Sequence, residues 1–481
     1  PAHRDLVMYE LNIMEFAGSL ELTMERFDYL QDLGINCISL MPVTNVADTF
    51  DWGYTPIGYF GVDERFGKRS DFQQFVAAAH QAGIAVLVDA VYGHTSDLFA
   101  YEYLYSRARL PNPMMGGFAK NDFGASVDWR RPFSQDFFYS VNRLWLEKFH
   151  VDGFRYDCVP NYWDLAPDYR GFAEIAYRTY QYVKGQVAAG EPGYARFSDG
   201  SEPLRLIQCA EQLEMPAEAL KQTFATCTWQ TRTLSKAREV ARGSRDASSA
   251  LGHCLGADGM PTGVEHEGDR ILKSPLQYLE THDESRFVCV WGVQLPEHED
   301  NPLYAQGDRS KWYRVQPYLI GLLLAKGIPL LCQGQELCES AQMASKGLSR
   351  IAFLRPVQWE HFYDPYGRGT IRLVRKLLEV RAALPQLRDG AFFFFDDDRY
   401  RSQGTLLYAR YYPDTPSYTL VALNLTDEVR HVPFWFPVGG DYREELHGDD
   451  DGRLGLRGVQ GYGETWLEIP GNYGRVWTHC G

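Results

Sequence analysis

The sequence predicts an α/β fold: a closed (β/α)8 barrel, or TIM barrel, with a short inserted subdomain after the third strand and a C-terminal antiparallel β-sandwich. Short apolar runs alternate with longer amphipathic segments, and eight such runs are each followed by a helical segment. The runs are rich in Ile, Val and Leu, as expected of strands that are buried on both faces. Near the C-terminus, shorter alternating runs separated by Pro, Asp and Gly predict the sandwich instead.

The barrel strands are predicted, in chain order, at 6–11, 36–41, 85–88, 153–156, 204–209, 224–229, 276–280 and 328–332. Helices are predicted at 20–33, 71–82, 135–149, 172–184, 312–324 and 371–383. Gly34 and Gly83 follow the first two helices, where glycine commonly ends a helix, and Pro42 stops the second strand.

One connection in the predicted barrel is unusually long. The third strand ends near Asp89 and the next helix begins near Ser134, which leaves roughly 45 residues, far more than a usual strand-to-helix loop. We therefore assign residues 1–94 and 134–389 to the barrel and residues 95–133 to an inserted subdomain. Residues 390–481, with strands expected at 405–411 and 418–423, are predicted to form the β-sandwich.

Composition limits the class of partner. The chain of 481 residues is 45% hydrophobic and 23% charged, close to the average for soluble globular proteins. Its formal net charge of -15 disfavours binding to nucleic acid or to anionic membranes. No apolar run approaches the ~18 residues of a membrane span. Aromatic residues make up 14% of the chain, which fits either a large core or a surface on which sugar rings stack.

The nine cysteines indicate a reducing environment. Nine is an odd number, and Cys37, Cys158, Cys209 and Cys332 lie in or at the ends of predicted strands, which favours buried free thiols over disulfides. The sequence has no CxxC pair and no Cys/His cluster with metal spacing. We therefore expect a cytoplasmic protein without a Cys/His metal centre.

Charged side chains stand at the carboxyl ends of four predicted strands, the face on which barrel enzymes place their catalytic groups. They are Asp89 with His94, Arg155 with Asp157, Glu211, and Asp283 with His282. Each carboxylate alone is compatible with a helix N-cap or with half of an ion pair. Four acids on one face are harder to explain in this way, because like charges that gather there repel one another. We interpret the set as a functional site.

These residues match the cleavage of a glycosidic bond, which needs an ionised carboxylate as nucleophile and a protonated carboxylic acid for the leaving oxygen. Arg155 and Asp157 are two apart in a strand and point to the same face, where the arginine favours an ionised aspartate. Glu211 ends an apolar strand near other carboxylates, and both burial and like charge raise the pKa of such a group. We therefore expect Asp157 to be the nucleophile and Glu211 the acid/base, with Asp283 stabilising positive charge on the sugar ring.

Four motifs, in this order, resemble the signature regions of the α-amylase superfamily of retaining glycoside hydrolases and transglycosylases: DAVYGH at 89–94, GFRYD at 153–157, AEQL at 210–213 and ETHDE at 280–284. The likeness extends to WGYTPIGYFGVDERFG at 52–67 and GIPLLCQGQE at 327–336. This resemblance implies a double-displacement mechanism on α-linked glucosides, an inserted subdomain after the third strand and a C-terminal β-domain.

The resemblance also implies roles for individual residues. By motif position, Asp157 matches the nucleophile, Glu211 the acid/base and Asp283 the transition-state stabiliser. Further matches surround the sugar at the cleavage point: Tyr54, which stacks on it, and Asp89, His94, Arg155 and His282. Trp52, in the same loop as Tyr54, is another candidate for stacking on glucose rings. For the two histidines, packing behind the site is the alternative interpretation.

Departures from the superfamily pattern indicate which branch of the superfamily this sequence resembles. Gly93 stands where many members have Asn, which often ligates a structural calcium, so this chain departs from the usual calcium site; a structural calcium stays open, and we expect no other cofactor. Val159 and Pro160 replace a Lys-His pair that contacts the next sugar in typical α-amylases. The short insertion and the stretch 123–157 resemble the branching-enzyme and trehalose-releasing branches more than secreted amylases.

We expect a retaining glycoside hydrolase that cleaves α-1,4-glucosidic bonds in starch, glycogen or malto-oligosaccharides through a covalent glycosyl-aspartate. The nearest alternative is an α-glucan transglycosylase such as a branching enzyme, in which a sugar hydroxyl rather than water resolves the intermediate. An alternative of another class is a non-catalytic homologue that binds glycan. The sequence leaves open α-1,4 versus α-1,6 bonds, endo versus exo action, chain-length preference and oligomeric state, because these depend on loop shape and surface.

Overall fold

Eight parallel strands form a closed barrel in the computed structural model, in which each strand pairs with its neighbours in the sequence and the last pairs with the first. The structure describes residues 1–47, 52–118, 123–163, 165, 170–200, 203–344, 350–351, 353–447 and 453–481. The barrel strands are β1 (Met8–Leu11), β2 (Cys37–Leu40), β3 (Ala85–Ala90), β4 (Gly153–Tyr156), β5 (Ile207–Ala210), β6 (Cys227–Trp229), β7 (Ser274–Gln277) and β8 (Ile328–Cys332). The predicted (β/α)8 barrel is confirmed, and each strand overlaps its predicted range.

The strands lie between the barrel interior and an outer layer of helices, so their side chains are buried on both faces. Every residue of β3 and of β8 is buried. At the start of β4, the backbone of Gly153 lies against β5, and a Cβ added to Gly153 would lie 1.8 Å from the carbonyl oxygen of Ile207. Only glycine fits there, and this fixes the strand that carries Arg155 and leads into Asp157.

The helices of the barrel and its loops are Ile13–Phe16, Leu20–Met24, Phe27–Leu33, Arg69–Gln81, Ala100–Ala108, Pro132–Lys148, Phe172–Ala188, Pro216–Gln222, Thr231–Ala241, Ala247–Leu255, Trp312–Leu323, Pro365–Ala383 and Gln386–Asp389. The prediction of one helix at 20–33 is wrong. The chain turns at Arg26 (φ -105°, ψ 7°), and the Arg26 guanidinium donates to the Leu22 carbonyl oxygen at 3.0 Å, so two helices form. Gly34 ends the second of them with φ 98°, as predicted.

The long connection after β3 folds into a small unit of its own. Its short strand His94–Thr95 pairs antiparallel with Ala125–Ser126, and helix Ala100–Ala108 lies between them in the sequence. The indole Nε1 of Trp129 donates to the carbonyl oxygen of Tyr92 at 3.0 Å, which ties the end of the insertion back to the segment that follows β3. His94 is thereby held at the rim of the barrel.

The C-terminal region consists of antiparallel strands, as predicted. They are β9 (Ala391–Phe394), β10 (Thr405–Tyr411), β11 (Tyr418–Asn424), β12 (Arg430–Trp435), β13 (Gly440–Glu444), β14 (Leu456–Val459), β15 (Glu464–Ile469) and β16 (Tyr473–His479), with a short helix at Asp398–Arg401. One sheet has the order β9-β10-β11-β16-β13-β14, and β12 pairs with β15 in the other. Phe434 and Leu467 from the smaller sheet share a buried core with Leu407, Leu420 and Trp477 from the larger one.

The end of strand β9 and the residue after it join the two regions, because Phe394 and Phe395 pack on opposite sides. Phe394 packs so closely on helix Ala247–Leu255 that a Cβ at Gly252 would lie 2.2 Å from its ring. Phe395, next in the chain, instead contacts Phe434 of the smaller sheet, with ring centroids 4.9 Å apart. The barrel and the C-terminal sheets therefore pack directly against each other.

Two further short antiparallel pairs lie in barrel loops: Gly263–His266 with Asp269–Leu272, and Val293–Gln294 with Gln306–Gly307. The nine cysteines are all free. Of the helices in the part of the chain that the structure describes, none combines the length and the apolar character needed to cross a membrane.

Candidate active site

The predicted site residues meet at the carboxyl end of the barrel. Asp89 is the penultimate residue of β3, Asp157 directly follows β4, and Glu211 directly follows β5. Asp89 and Arg155 are paired neighbours in adjacent strands, so their side chains lie side by side. Asp283 comes from the loop after β7 and completes the group.

Arg155 contacts three of these carboxylates. Its Nη1 donates to Asp89 Oδ2 at 2.7 Å and to Asp157 Oδ1 at 2.8 Å, and its Nη2 lies 2.9 Å from Glu211 Oε2. The guanidinium is almost wholly buried and lies 4.8 Å from the centre of the Trp229 ring. The sequence predicts the pairing with Asp157; the contacts with Asp89 and Glu211 come from the strand register, which the sequence does not reveal.

The backbone after β4 also holds Glu211. The N–H of Cys158 donates to Glu211 Oε2 at 2.7 Å. Cys158 has φ 40°, in the left-handed region that residues other than glycine seldom adopt. A strained backbone conformation directly after the predicted nucleophile indicates that the surrounding residues hold this segment in place.

Burial separates the protonation states of the carboxyl groups. Burial raises the pKa of Glu211 to about 8; Arg155 opposes the rise, and the negative charges of Asp157 and Asp283 add to it. Burial likewise raises the pKa of Asp89 to about 6, against the attraction of Arg155. Glu211 is therefore protonated at neutral pH beside Asp157, which accepts a charge-assisted hydrogen bond from Arg155.

Arg350 is a contact of Asp283 that the sequence does not indicate. Its Nη2 donates to Asp283 Oδ1 at 2.6 Å and to the Asp283 carbonyl oxygen at 2.7 Å. Burial raises the pKa of Asp283, but the positive charges of His282, Arg350 and Arg155 outweigh it and hold the pKa below its ordinary value. Asp283 thus stays ionised. Arg350 lies 67 residues further along the chain, too far for any local pattern to link the two.

His282 is anchored from behind by Glu10, near the end of β1. Its Nδ1 lies 2.7 Å from Glu10 Oε1, and its backbone N–H donates to Glu10 Oε2 at 2.7 Å. Burial lowers the pKa of His282, but the charges of Glu10 and Asp283 raise it further, to about 9. Glu10 is the penultimate residue of its strand, as Asp89 is of β3, but it lies inside the predicted strand 6–11, so only a search that includes the last positions within each strand would have found it.

The predicted aromatic residues surround His282. The Tyr54 ring stacks on the imidazole at 5.2 Å between centroids, and the Trp52 ring meets it edge-on at 5.4 Å. Tyr54 donates its hydroxyl to Asp89 Oδ2 at 2.9 Å. His94 Nε2 lies 2.7 Å from the Tyr54 carbonyl oxygen and, because a carbonyl only accepts, donates to it. All nine residues predicted for the site therefore belong to one connected group.

The surroundings of Gly93 do not fit a calcium ligand. A Cβ at this position would lie 3.1 Å from the Tyr162 ring and 3.6 Å from the Asn161 Cβ, so an asparagine there would press on Tyr162. Among the described residues, no group of three or more His, Cys, Asp or Glu side chains has the arrangement of a metal site.

Comparison with known proteins finds similarity to enzymes of the alpha-amylase type. The family model for the catalytic domain of alpha amylase matches residues 10–114. The 1,4-alpha-glucan branching enzyme GlgB of Paramagnetospirillum magneticum is 24% identical over 476 residues, which cover 94% of this chain and 59% of that protein. The malto-oligosyltrehalose trehalohydrolase of Saccharolobus solfataricus is 31% identical over 194 residues, which cover 39% of this chain and 33% of that protein.

Among solved structures, an alpha-amylase from Anoxybacillus superposes with a TM-score of 0.72 at 17% identity, and the match covers 99% of this chain and 98% of that one. Similarity at this level shows a shared fold. The chain spans 59% and 33% of the lengths of the two sequence relatives, so each of them carries further residues that this chain does not match.

Proposed function

Because this chain belongs to the α-amylase superfamily, we propose that it is a retaining enzyme that acts on α-linked glucans through a covalent bond between the sugar and Asp157. The observation that carries the proposal is the shared contact of Asp157 and Glu211 with Arg155, at distances of 2.8 and 2.9 Å, while burial keeps a proton on Glu211. One ionised and one protonated carboxyl group at neighbouring strand ends are the two partners that double displacement requires.

The reaction follows from these positions. Asp157 attacks the anomeric carbon while Glu211 gives its proton to the glycosidic oxygen, so the bond between that carbon and oxygen breaks as the ester to Asp157 forms. Glu211, now a carboxylate, takes a proton from water or from a sugar hydroxyl, and the resulting nucleophile displaces Asp157. Asp283 stabilises the positive charge that develops on the ring in both steps, and Tyr54 provides the face on which the ring lies.

The substrate we propose is an α-1,4-linked glucan: starch, glycogen or a malto-oligosaccharide. The negative charge of the chain and its ring-lined site favour a neutral sugar over nucleic acid or an anionic membrane. Transfer to a sugar hydroxyl, as in a branching enzyme, is the second candidate, and the match to a 1,4-alpha-glucan branching enzyme over 94% of this chain favours it specifically. Both candidates use the same carboxyl groups and differ only in the acceptor.

We also propose that the reaction uses no metal cofactor and takes place in the cytoplasm. Side chains supply every role in the two steps above, and the crowding of Gly93 by Tyr162 opposes the usual calcium ligand. The nine free cysteines support a reducing compartment. Activity that is unchanged after dialysis against a chelator is expected, and activity restored by added calcium would contradict the first part.

Product analysis tests the function. The purified chain is incubated with amylose, maltodextrins, pullulan and maltooligosyl trehalose, and iodine staining, reducing ends and the anomer released are followed together. A hydrolase gives reducing ends of the α anomer at first, whereas a branching enzyme reduces iodine staining with little new reducing sugar. A β anomer as the first product would contradict the retaining mechanism.

Variants separate catalysis from mere glycan binding. Asp157→Asn and Glu211→Gln are each expected to lower turnover by about 10²-fold or more with unchanged folding, because each removes a bond-making or proton-transfer group. Glu214→Gln, an exposed glutamate three residues further on, is the matched control and should keep wild-type activity. A wild-type protein that binds glucan but turns over none of the four substrates would favour the non-catalytic alternative.

A further inference from the structure

Glu10 is a buried carboxylate at the catalytic end of the barrel with no part in the two chemical steps. It is 4% exposed, and its two oxygens receive the backbone N–H and the Nδ1 of His282, both at 2.7 Å. A carboxylate that binds both the main chain and the ring of one residue fixes the position and the rotation of that ring together. Glu10 therefore fixes the position of the His282 ring in addition to affecting its charge.

The opposite edge of the same ring faces the reaction. His282 Nε2 lies 3.6 Å from Asp283 Oδ2, so the imidazole stands between the carboxylate of Glu10 and that of Asp283. With Nδ1 engaged by Glu10, Nε2 is the nitrogen that remains for Asp283 or for a hydroxyl of the sugar that stacks on Tyr54. The ring thus links Glu10, in β1, to Asp283, in the loop after β7.

We propose that Glu10 is a positioning residue of the catalytic site, which holds the His282 imidazolium with its Nε2–H directed at Asp283 and the sugar. This inference deepens the proposed function and rests on it. It assigns a role to the first strand of the barrel, whereas the catalytic carboxylates come from β4, β5 and the loop after β7.

The charges that face His282 support a protonated ring. Glu10 from β1 and Asp283 from its own loop are negative, and Arg155 from β4 is the positive group opposed to them. The Tyr54 ring stacks on one face, and the Trp52 ring approaches from the side; aromatic faces favour a neighbouring cation. The resulting pKa of about 9 keeps the proton on His282 throughout the neutral range.

A direct titration tests this arrangement without any substrate. In protein labelled at histidine, the His282 ring signal is identified as the one that disappears in His282→Gln, and its shift is followed by NMR from pH 5 to 10. The expected result is a pKa well above the ordinary ~6.5 in wild type, moved down by at least one unit in Glu10→Gln. A wild-type value near 6.5, or no change in Glu10→Gln, would overturn the proposal even if the enzyme proves fully active.

Kinetics then ask whether Glu10 acts through His282. Glu10→Gln is expected to lower kcat about tenfold to a hundredfold with a smaller change in KM, the range for losing a hydrogen bond between charged groups. In a His282→Gln background the same change should have little further effect, because its target is gone. If the loss of kcat in the double variant equalled the product of the losses in the two single variants, Glu10 would act independently of His282.

A second buried glutamate serves as the control. Glu336 accepts hydrogen bonds from Tyr9 and Tyr29 at 2.9 and 2.8 Å, and it makes no described contact with His282. Glu336→Gln also removes a buried carboxylate next to β1, but it should leave the His282 titration and the ratio of kcat to KM within about twofold of wild type. If Glu336→Gln lowered the pKa of His282 as much as Glu10→Gln does, the shift would be a general effect of removing a buried charge.

Discussion

At the scale of single residues, one guanidinium contacts carboxyl groups that need different protonation states for the reaction. Arg155 contacts Asp89, Asp157 and Glu211 together, and its positive charge lets three buried acids lie close to one another at the ends of three adjacent strands. Burial together with the charges of Asp157 and Asp283 still outweighs this attraction at Glu211. The site therefore holds a proton donor, Glu211, beside the aspartate that accepts a hydrogen bond from Arg155.

The pH dependence of the reaction follows from Glu211. Its pKa of about 8 lies above the ordinary value, so the protonated form that acts as the acid persists to about pH 8 and is lost above it. We expect kcat/KM for a soluble malto-oligosaccharide to fall about tenfold per pH unit beyond that point. Glu214→Gln should show the same alkaline limb. A limb near pH 5 would mean that Glu211 titrates as an exposed glutamate and is not the acid.

Sequence reasoning reached the carboxylates because each lies within three residues after the end of an apolar run, and strand ends in a parallel barrel meet on one face. It missed Glu10, which lies inside its run by one residue and so looked like an interior position. It also missed Arg350, because the contact with Asp283 joins two residues that are far apart in the sequence. Local patterns reveal which face a side chain occupies, whereas a partner 67 residues away depends on the folded loop.

At the scale of elements, the spacing between β4 and β5 decides where Arg155 and Asp157 stand. Gly153 begins β4, and a side chain there would meet the Ile207 carbonyl oxygen at 1.8 Å. The strand therefore has to move away from β5 if this glycine is replaced. Strand positions were predictable from periodicity, but so close an approach was not, because it depends on the pairing register of two strands some fifty residues apart.

Gly153→Ala tests this close approach. We expect it to lower the free energy of unfolding by about 3 kcal/mol or more, or to prevent folding, because backbone atoms block the new methyl group. Gly185→Ala, in the helix Phe172–Ala188, is the matched control: no neighbour lies within 4 Å of the added Cβ, and stability should rise by about 0.5–1 kcal/mol. Urea unfolding followed by circular dichroism measures both. Similar stabilities for the two variants would show that β4 and β5 adjust freely.

At the scale of the whole molecule, the buried Arg410 joins the C-terminal sheets to the barrel, beside the buried Arg381 of the barrel itself. Arg410 of β10 donates from Nη1 to the carbonyl oxygens of Ala325 at 2.9 Å and Leu387 at 2.8 Å, and Arg381 donates to the same Ala325 oxygen at 3.0 Å. These carbonyls lie at or near the ends of helices, where such groups lack partners within the helix. The sequence predicts β10 as a strand, but nothing in its pattern distinguishes Arg410 from an exposed strand arginine.

The last prediction concerns this connection. Arg410→Met should lower the free energy of unfolding by about 3 kcal/mol or more, because it removes the guanidinium donor from the carbonyl oxygens of Leu324, Leu387 and Gly390. Arg457→Met is the control: its side chain is 68% exposed and pairs with Asp441 at the surface, so a change within about 0.5 kcal/mol is expected. Urea unfolding is followed by tryptophan fluorescence and by loss of activity. If Arg410→Met unfolds at the same urea concentration as Arg457→Met, the guanidinium contributes nothing to the joint, and the packing of Phe394 on the barrel helix must hold the C-terminal sheets in place.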